Sequence, residues 1–129
     1  MKRFVLVALL SLSACAGAPI KDGTYPLQPG QHVALSGNTI LTYDSFSDSR
    51  CPANARCIWA GRLSFRFVLD GPGGQEEFTL GPDQLAAAPT SLHGARVALD
   101  PASIPPARST NATRPGDLIP VTLNITSPR

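Results

Sequence analysis

Few side chains in this 129-residue sequence have the types and the spacing that catalysis or metal binding requires. The two histidines, His32 and His93, are far apart and match no ligand spacing, and no G-x-S-x-G motif is present. Glu76 and Glu77 are neighbours, so on a strand their carboxylates point to opposite faces and cannot share a proton. We therefore predict exposed histidines, solvated glutamates, no catalytic residue, no metal site and no cofactor. The alternative is an enzyme whose site is assembled by folding around one of the histidines.

The first of three cysteines ends a short apolar segment. Lys2 and Arg3 precede the apolar run Phe4–Leu12, which is too short to span a bilayer. The residues Leu12-Ser13-Ala14-Cys15 then resemble the lipobox of bacterial lipoproteins. The resemblance implies that residues 1–14 are a signal peptide removed after export and that Cys15 carries the lipid.

Lipid on Cys15 accounts for the odd number of cysteines. Cys51 and Cys57 then remain as a disulfide pair in a compartment where such bonds persist, and their spacing differs from the C-x-x-C redox motif. In the sorting rule of lipoproteins, an Asp after the lipidated cysteine retains the protein at the inner membrane. The residue there is Ala16, which implies an outer-membrane lipoprotein facing the periplasm.

The net charge is also set by the signal peptide. The full sequence has eleven basic and nine acidic residues, and loss of Lys2 and Arg3 leaves nine of each sign. A chain with no charge excess has no general attraction for polyanions. We therefore expect no nucleic-acid partner, and we expect contact with the membrane only through the N-terminal lipid.

The least generic segment of the mature chain surrounds the cysteine pair. It reads Asp48-Ser49-Arg50-Cys51-Pro52, four further residues, then Cys57-Ile58-Trp59-Ala60-Gly61. The structural interpretation has Trp59 packed on the disulfide or the core and Arg50 paired with Asp48. In the functional interpretation, Arg50, Arg56 and Arg62 surround Trp59 as a recognition surface, because Arg and Trp are favoured interface anchors.

This D-S-R-C-P-x4-C-x-W-x-G pattern resembles a motif of small exported bacterial proteins and lipoproteins of uncharacterised function. The resemblance covers about fourteen residues strongly and the flanking strands weakly. It implies a fold rather than an activity, and it transfers no catalytic residue.

The elements that must position this loop are strands. Residues 15–30 are rich in Pro, Gly and small side chains, which predicts a lipidated cysteine followed by a flexible tether. Residues 31–129 alternate apolar and polar side chains between turns, most clearly at Leu63, Phe65, Phe67 and Leu69. We predict a single all-β domain, a small antiparallel β-sandwich of six or seven strands with one short disulfide loop, or alternatively a partly open β-barrel.

The function expected from these features is a non-enzymatic envelope lipoprotein that binds an envelope protein or serves a structural role. The alternative is a periplasmic inhibitor or accessory factor of a lytic enzyme, an analogy that rests on size and location.

Overall fold

The computed structural model describes residues 20–52, 54–107 and 118–128. Cys15 and the predicted signal peptide lie outside this part of the chain. Eight strands are present in it: β1 (Gly23–Leu27), β2 (His32–Ser36), β3 (Thr39–Asp48), β4 (Leu63–Gly71), β5 (Gly74–Leu80), β6 (Ala86–Ala87), β7 (Arg96–Leu99) and β8 (Val121–Thr126). Two short 3₁₀ helices span Thr90–Leu92 and Pro101–Ser103.

The strands form two four-stranded antiparallel sheets, in the orders β1-β8-β7-β6 and β2-β3-β4-β5. Neither sheet closes on itself, so the fold is the predicted all-β sandwich and not the partly open barrel. The strand count exceeds the predicted six or seven because β1 and the two-residue β6 were not expected. Ala86 and Ala87 form β6 and not a helical turn. The turn instead follows Pro89, at Thr90–Leu92.

The predicted tether is shorter than expected. Residues 23–27 form β1, which pairs with β8 from Gly23 opposite Ile125 to Leu27 opposite Val121. Pro26 is tolerated there because β1 is an edge strand, where a missing backbone donor costs little. The prediction of a flexible tether through residue 30 and of a domain starting at residue 31 is therefore wrong: the folded domain already includes Ile20, which packs against the core.

The core lies between the two sheets and uses the alternation that the sequence predicted. The inward side chains of β4 are all buried, namely Leu63, Phe65, Phe67 and Leu69. Burial of each such side chain contributes about 1.5–3 kcal/mol to folding. Tyr43 of β3 crosses the interior, and its hydroxyl donates a hydrogen bond of 2.9 Å to the carbonyl oxygen of Ile119, just before β8. Its burial raises the pKa of the Tyr43 hydroxyl, so this link between the sheets stays protonated.

The two glutamates of β5 have different environments. Glu77 is exposed and forms an ion pair with Arg66. Glu76 was expected to be solvated, and this prediction is wrong. Its carboxylate accepts hydrogen bonds from the Ser91 hydroxyl, the Ser91 backbone N–H at 2.7 Å and the Thr90 backbone N–H at 2.9 Å. These bonds lower the pKa of Glu76, and the bond from the Ser91 hydroxyl has the largest effect. They also attach the first 3₁₀ helix to β5.

The sandwich has two distinct ends. The end we call proximal holds Ile20, the β4–β5 turn and the segment after β8, which together line one cleft. The end we call distal holds the connection between β3 and β4, residues 49–62. Strand β3 starts beside the cleft at Thr39 and reaches this connection at Asp48. Ten residues of strand place the two ends about 30 Å apart.

Candidate functional site

The candidate site is the connection between β3 and β4, which we call the disulfide loop (residues 49–62, described except for residue 53). Cys51 and Cys57 are bonded, with their Cα atoms 5.8 Å apart, which confirms the predicted pairing. The bond closes a short segment at the outer part of the loop. Because the two cysteines are only six positions apart in the sequence, the bond restricts the shape of this segment in particular.

The base of the loop continues the pairing of β3 with β4. The Ser49 backbone N–H donates to the Arg62 carbonyl oxygen at 2.8 Å, and the Ser49 hydroxyl accepts from the Arg62 N–H at 3.0 Å. The Cys51 N–H donates to the Ala60 carbonyl oxygen at 3.0 Å. Gly61 has a φ of +73° and lies against the Ser49 carbonyl. The loop is therefore held by its backbone as well as by the disulfide.

Arg50 belongs to this base. Its guanidinium donates to both carboxylate oxygens of Asp48, at 2.9 and 3.0 Å, and to the carbonyl oxygen of Pro105 at 2.8 Å. Its side chain is only 17% exposed. The predicted pair with Asp48 is present, and the placement of Arg50 on a recognition surface is wrong, because all three donor nitrogens of its guanidinium are already committed to internal partners.

Trp59 and Ile58 point away from the protein. The structural interpretation had Trp59 packed on the disulfide or the core, but its side chain is 68% exposed. Its neighbour Ile58 is fully exposed at 106%. Trp59 is exposed because it lies beyond the edge of the core: Leu63 is the first inward residue of β4, and Trp59 comes before it in the chain. Ile58 was not among the predicted site residues, although it is an aliphatic residue next to Trp59 inside the motif.

Two arginines flank this apolar pair. Arg56 is exposed and has no ion pair within the part of the chain that the structure describes. The Nε atom of Arg62 lies 3.7 Å from Oδ2 of Asp83. Both side chains are mostly exposed, so solvent weakens their attraction. The structure thus places Arg56, Trp59 and Arg62 of the predicted recognition surface on one exposed loop. We call the side chains of these three residues, with that of Ile58, the tip, whereas the backbone of Arg62 belongs to the loop base.

A second candidate site is the proximal cleft, together with the two histidines. The proximal cleft has a volume of about 770 Å³ and is lined by Thr90, Ser91 and His93 among others. The Ser91 hydroxyl donates to Glu76, and the His93 imidazole has no hydrogen-bond partner among the described residues. His32 is exposed in a shallow depression without carboxylates. No nucleophile is paired with a histidine base in the described ranges, where no group of three His, Cys, Asp or Glu side chains has a metal-binding arrangement either.

Within residues 20–52, 54–107 and 118–128, no helix is long and apolar enough to cross a bilayer. Comparison of the chain with protein-family models, with curated proteins and with solved structures finds no match. The interpretation of the disulfide loop therefore depends on its own geometry.

Proposed function

We propose that this protein is a bacterial envelope lipoprotein, anchored through Cys15, whose β-sandwich binds a protein partner with the tip of its disulfide loop and catalyses no reaction. The observation that carries the proposal is the exposure of Ile58 and Trp59 on a loop whose shape is maintained by other residues. Neither side chain contributes to the buried core.

The tip has the properties of an interface anchor. Trp and Arg are enriched among the residues that contribute most to binding, and here one Trp stands between two Arg residues in the sequence. The disulfide and the backbone hydrogen bonds of the loop base fix its conformation before binding. A preformed loop loses less conformational entropy when it associates, so a larger share of the contact energy becomes affinity.

The lipid anchor is supported by the N-terminal sequence and by the disulfide. The segment before Cys15 has the charge, length and small residues of an export signal. A disulfide between Cys51 and Cys57 suits an oxidising compartment outside the cytoplasm. Ala16 favours delivery to the outer membrane, with the domain in the periplasm.

The anchor is tested by replacing Cys15 in the full chain. Cys15→Ser removes the thiol that accepts the lipid, so we expect the variant to leave the membrane fraction while the native chain stays in it. A native chain that already fractionates as a soluble protein contradicts the anchor.

The binding role is tested with a photoreactive residue introduced at Ile58 in the native envelope. Ile40 provides a matched control, because it is an exposed isoleucine on a sheet face away from the tip. We expect one protein adduct from position 58 that is absent from position 40 and is lost when Trp59→Ala is added. Equal adducts from both positions, or an adduct that does not depend on Trp59, contradict recognition by the tip.

A second candidate function is inhibition of a lytic enzyme, and the convex shape of the tip favours it. A closed, protruding loop fits the concave clefts in which enzymes bind substrates. We expect the full protein in detergent to slow hydrolysis by at least one lysozyme or protease, and Trp59→Ala to abolish the effect. No slowing by the native protein across a panel of such enzymes rules out inhibition without affecting the binding proposal.

A further inference from the structure

The chain joins the sandwich at its proximal end in a fixed way. The Lys21 N–H donates to the Leu35 carbonyl oxygen at 2.8 Å, which ties the segment to β2. On the other side, the Ser127 hydroxyl donates to the carbonyl oxygen of Ile20 at 3.1 Å, and the Ser127 N–H donates to Asp22 at 2.7 Å. Residues 20–22 are thus held by both sheets, and the domain begins where the tether ends.

The tether that remains is shorter than the domain. Four residues separate Cys15 from Ile20, so the chain between them spans at most about 18 Å. The proximal and distal ends are about 30 Å apart along β3. A lipid on Cys15 therefore keeps the proximal end near the membrane. Because the tether is shorter than the distance between the two ends, the domain cannot invert so that its distal end faces the membrane.

The distribution of charge also favours an upright domain. The cleft at the proximal end is lined without any Asp, Glu, Lys or Arg side chain. The outer face of the second sheet, in contrast, has Arg66 in ion pairs with Asp44 and Glu77. Laying that face on a bilayer would remove these charges from water at a high cost. The outer face of the first sheet is polar as well, with Thr24 bonded to Asn124 at 2.8 Å.

From these observations we infer that the tip is presented away from the anchoring membrane, to a protein whose apolar pocket is bordered by carboxylates. The inference rests on the proposed anchor at Cys15. Ile58 and Trp59 supply the apolar surface, and Arg56 and Arg62, which flank them in the sequence of the same exposed loop, supply positive charge. Arg56 has no internal counter-ion among the described residues, and Arg62 is only loosely paired with Asp83. Carboxylates of a partner therefore supply the counter-ions for both arginines.

Trp59 is the only tryptophan of the chain and reports on its own distance from the membrane. The full lipidated protein is reconstituted into vesicles of phosphatidylcholine and phosphatidylglycerol that contain a lipid with a dansyl headgroup, and energy transfer from tryptophan to dansyl is measured. The control is the double variant Trp59→Phe/Gly73→Trp. Gly73 lines the proximal cleft, and a side chain built there meets no atom within 4 Å.

We expect energy transfer to be several times stronger from position 73 than from Trp59. Equal or stronger transfer from Trp59 means that the tip lies on the membrane and overturns the inference. A native protein that does not sediment with the vesicles overturns the anchor itself, and the inference with it, so the two failures are distinguishable.

The chemistry of the partner is tested with the photoreactive residue at position 58 in the native envelope. Arg56→Glu combined with Arg62→Glu is expected to reduce the adduct several-fold, whereas Arg56→Lys with Arg62→Lys retains most of it. An adduct that is insensitive to charge reversal overturns the carboxylate-bordered pocket. An adduct to lipid shows the membrane as the occupant and overturns the whole inference.

Discussion

Gly61 lies so close to Ser49 that no other residue fits in its place. A Cβ atom built on Gly61 would be 1.9 Å from the Ser49 carbonyl oxygen, and the φ of Gly61 is +73°. The same Ser49 residue pairs through its backbone with Arg62. The close approach of these two backbones is what brings the start of β4 alongside the end of β3 and turns residues 58–60 outward.

We predict that Gly61→Ala destabilises the domain by about 2–4 kcal/mol, since it adds both a strained dihedral and a steric overlap with backbone. Gly73→Ala is the matched control, because its side chain would meet no atom within 4 Å. Urea denaturation of both variants measures the difference in the free energy of unfolding. If Gly61→Ala were as stable as Gly73→Ala, the backbone contact at Ser49 would not be required.

Arg50 and Arg56 should differ in their effect on stability although both belong to the motif. Arg50→Ala removes the bonds to Asp48 and to the Pro105 carbonyl and should cost about 1.5–3 kcal/mol. Arg56→Ala removes an exposed side chain and should change stability by less than about 0.5 kcal/mol. Thermal unfolding of the two variants in parallel tests the distinction. Equal losses would contradict the assignment of Arg50 to the loop base.

The disulfide should stabilise the domain without being essential to it. Cys51→Ala with Cys57→Ala is expected to cost about 2 kcal/mol, the value that loop-closure entropy gives for so short a loop. The fold should persist because the bonds between Ser49 and Arg62 and between Cys51 and Ala60 are made by the backbone. A reductant should lower the stability of the native protein and leave the double variant unchanged. Complete unfolding of the variant would show that the backbone bonds are insufficient.

Strong alternation made the central sheet predictable. Four inward apolar residues from Leu63 to Leu69, followed by the Gly71–Gly74 turn, specify β4 and its hairpin partner without tertiary information. Strand β1 was missed because Pro26 and the small residues around it have the composition of a linker, and its pairing with β8 depends on residues about a hundred positions away. Two-residue β6 has no periodicity to detect.

At the site, the disulfide was predicted because lipid on Cys15 leaves Cys51 and Cys57 as a pair, and the Asp48–Arg50 pair followed from short sequence separation. The orientation of Trp59 did not, because it depends on where the core ends. The sequence shows an aromatic residue four positions before a buried strand, but only the fold shows that Leu63 is the first inward position and that the loop extends past it. The role of Glu76 likewise depends on the distant Ser91.

Glu76 should make the stability depend on pH. Its pKa in the folded protein lies below the ordinary value of 4.5, because the Ser91 hydroxyl and the backbone N–H groups of Ser91 and Thr90 stabilise the carboxylate. The folded state therefore gains stability above the ordinary pKa and loses it as the pH falls through the lowered one. We expect Glu76→Gln to be less stable than the native protein at neutral pH, with the gap closing under acidic conditions.

Urea denaturation at several pH values between neutral and about pH 3 tests this expectation. Glu77→Gln is the control, since Glu77 forms an exposed ion pair whose loss costs at most about 1 kcal/mol. A gap between native protein and Glu76→Gln that does not change with pH would mean that the carboxylate charge contributes nothing to the attachment of the 3₁₀ helix.

Trp59→Ala is expected to separate stability from recognition. Because Trp59 is 68% exposed, its loss should change the free energy of unfolding by less than about 0.5 kcal/mol. Phe65→Ala, at a fully buried position of β4, should cost about 3–5 kcal/mol in the same experiment. Circular dichroism is the readout for both variants, since Trp59→Ala removes the only tryptophan.

Binding should show the opposite order, with the photo-adduct from position 58 lost in Trp59→Ala although the fold is intact. A stability loss as large as that of Phe65→Ala would instead place Trp59 among the residues that build the domain and leave the tip without its anchor.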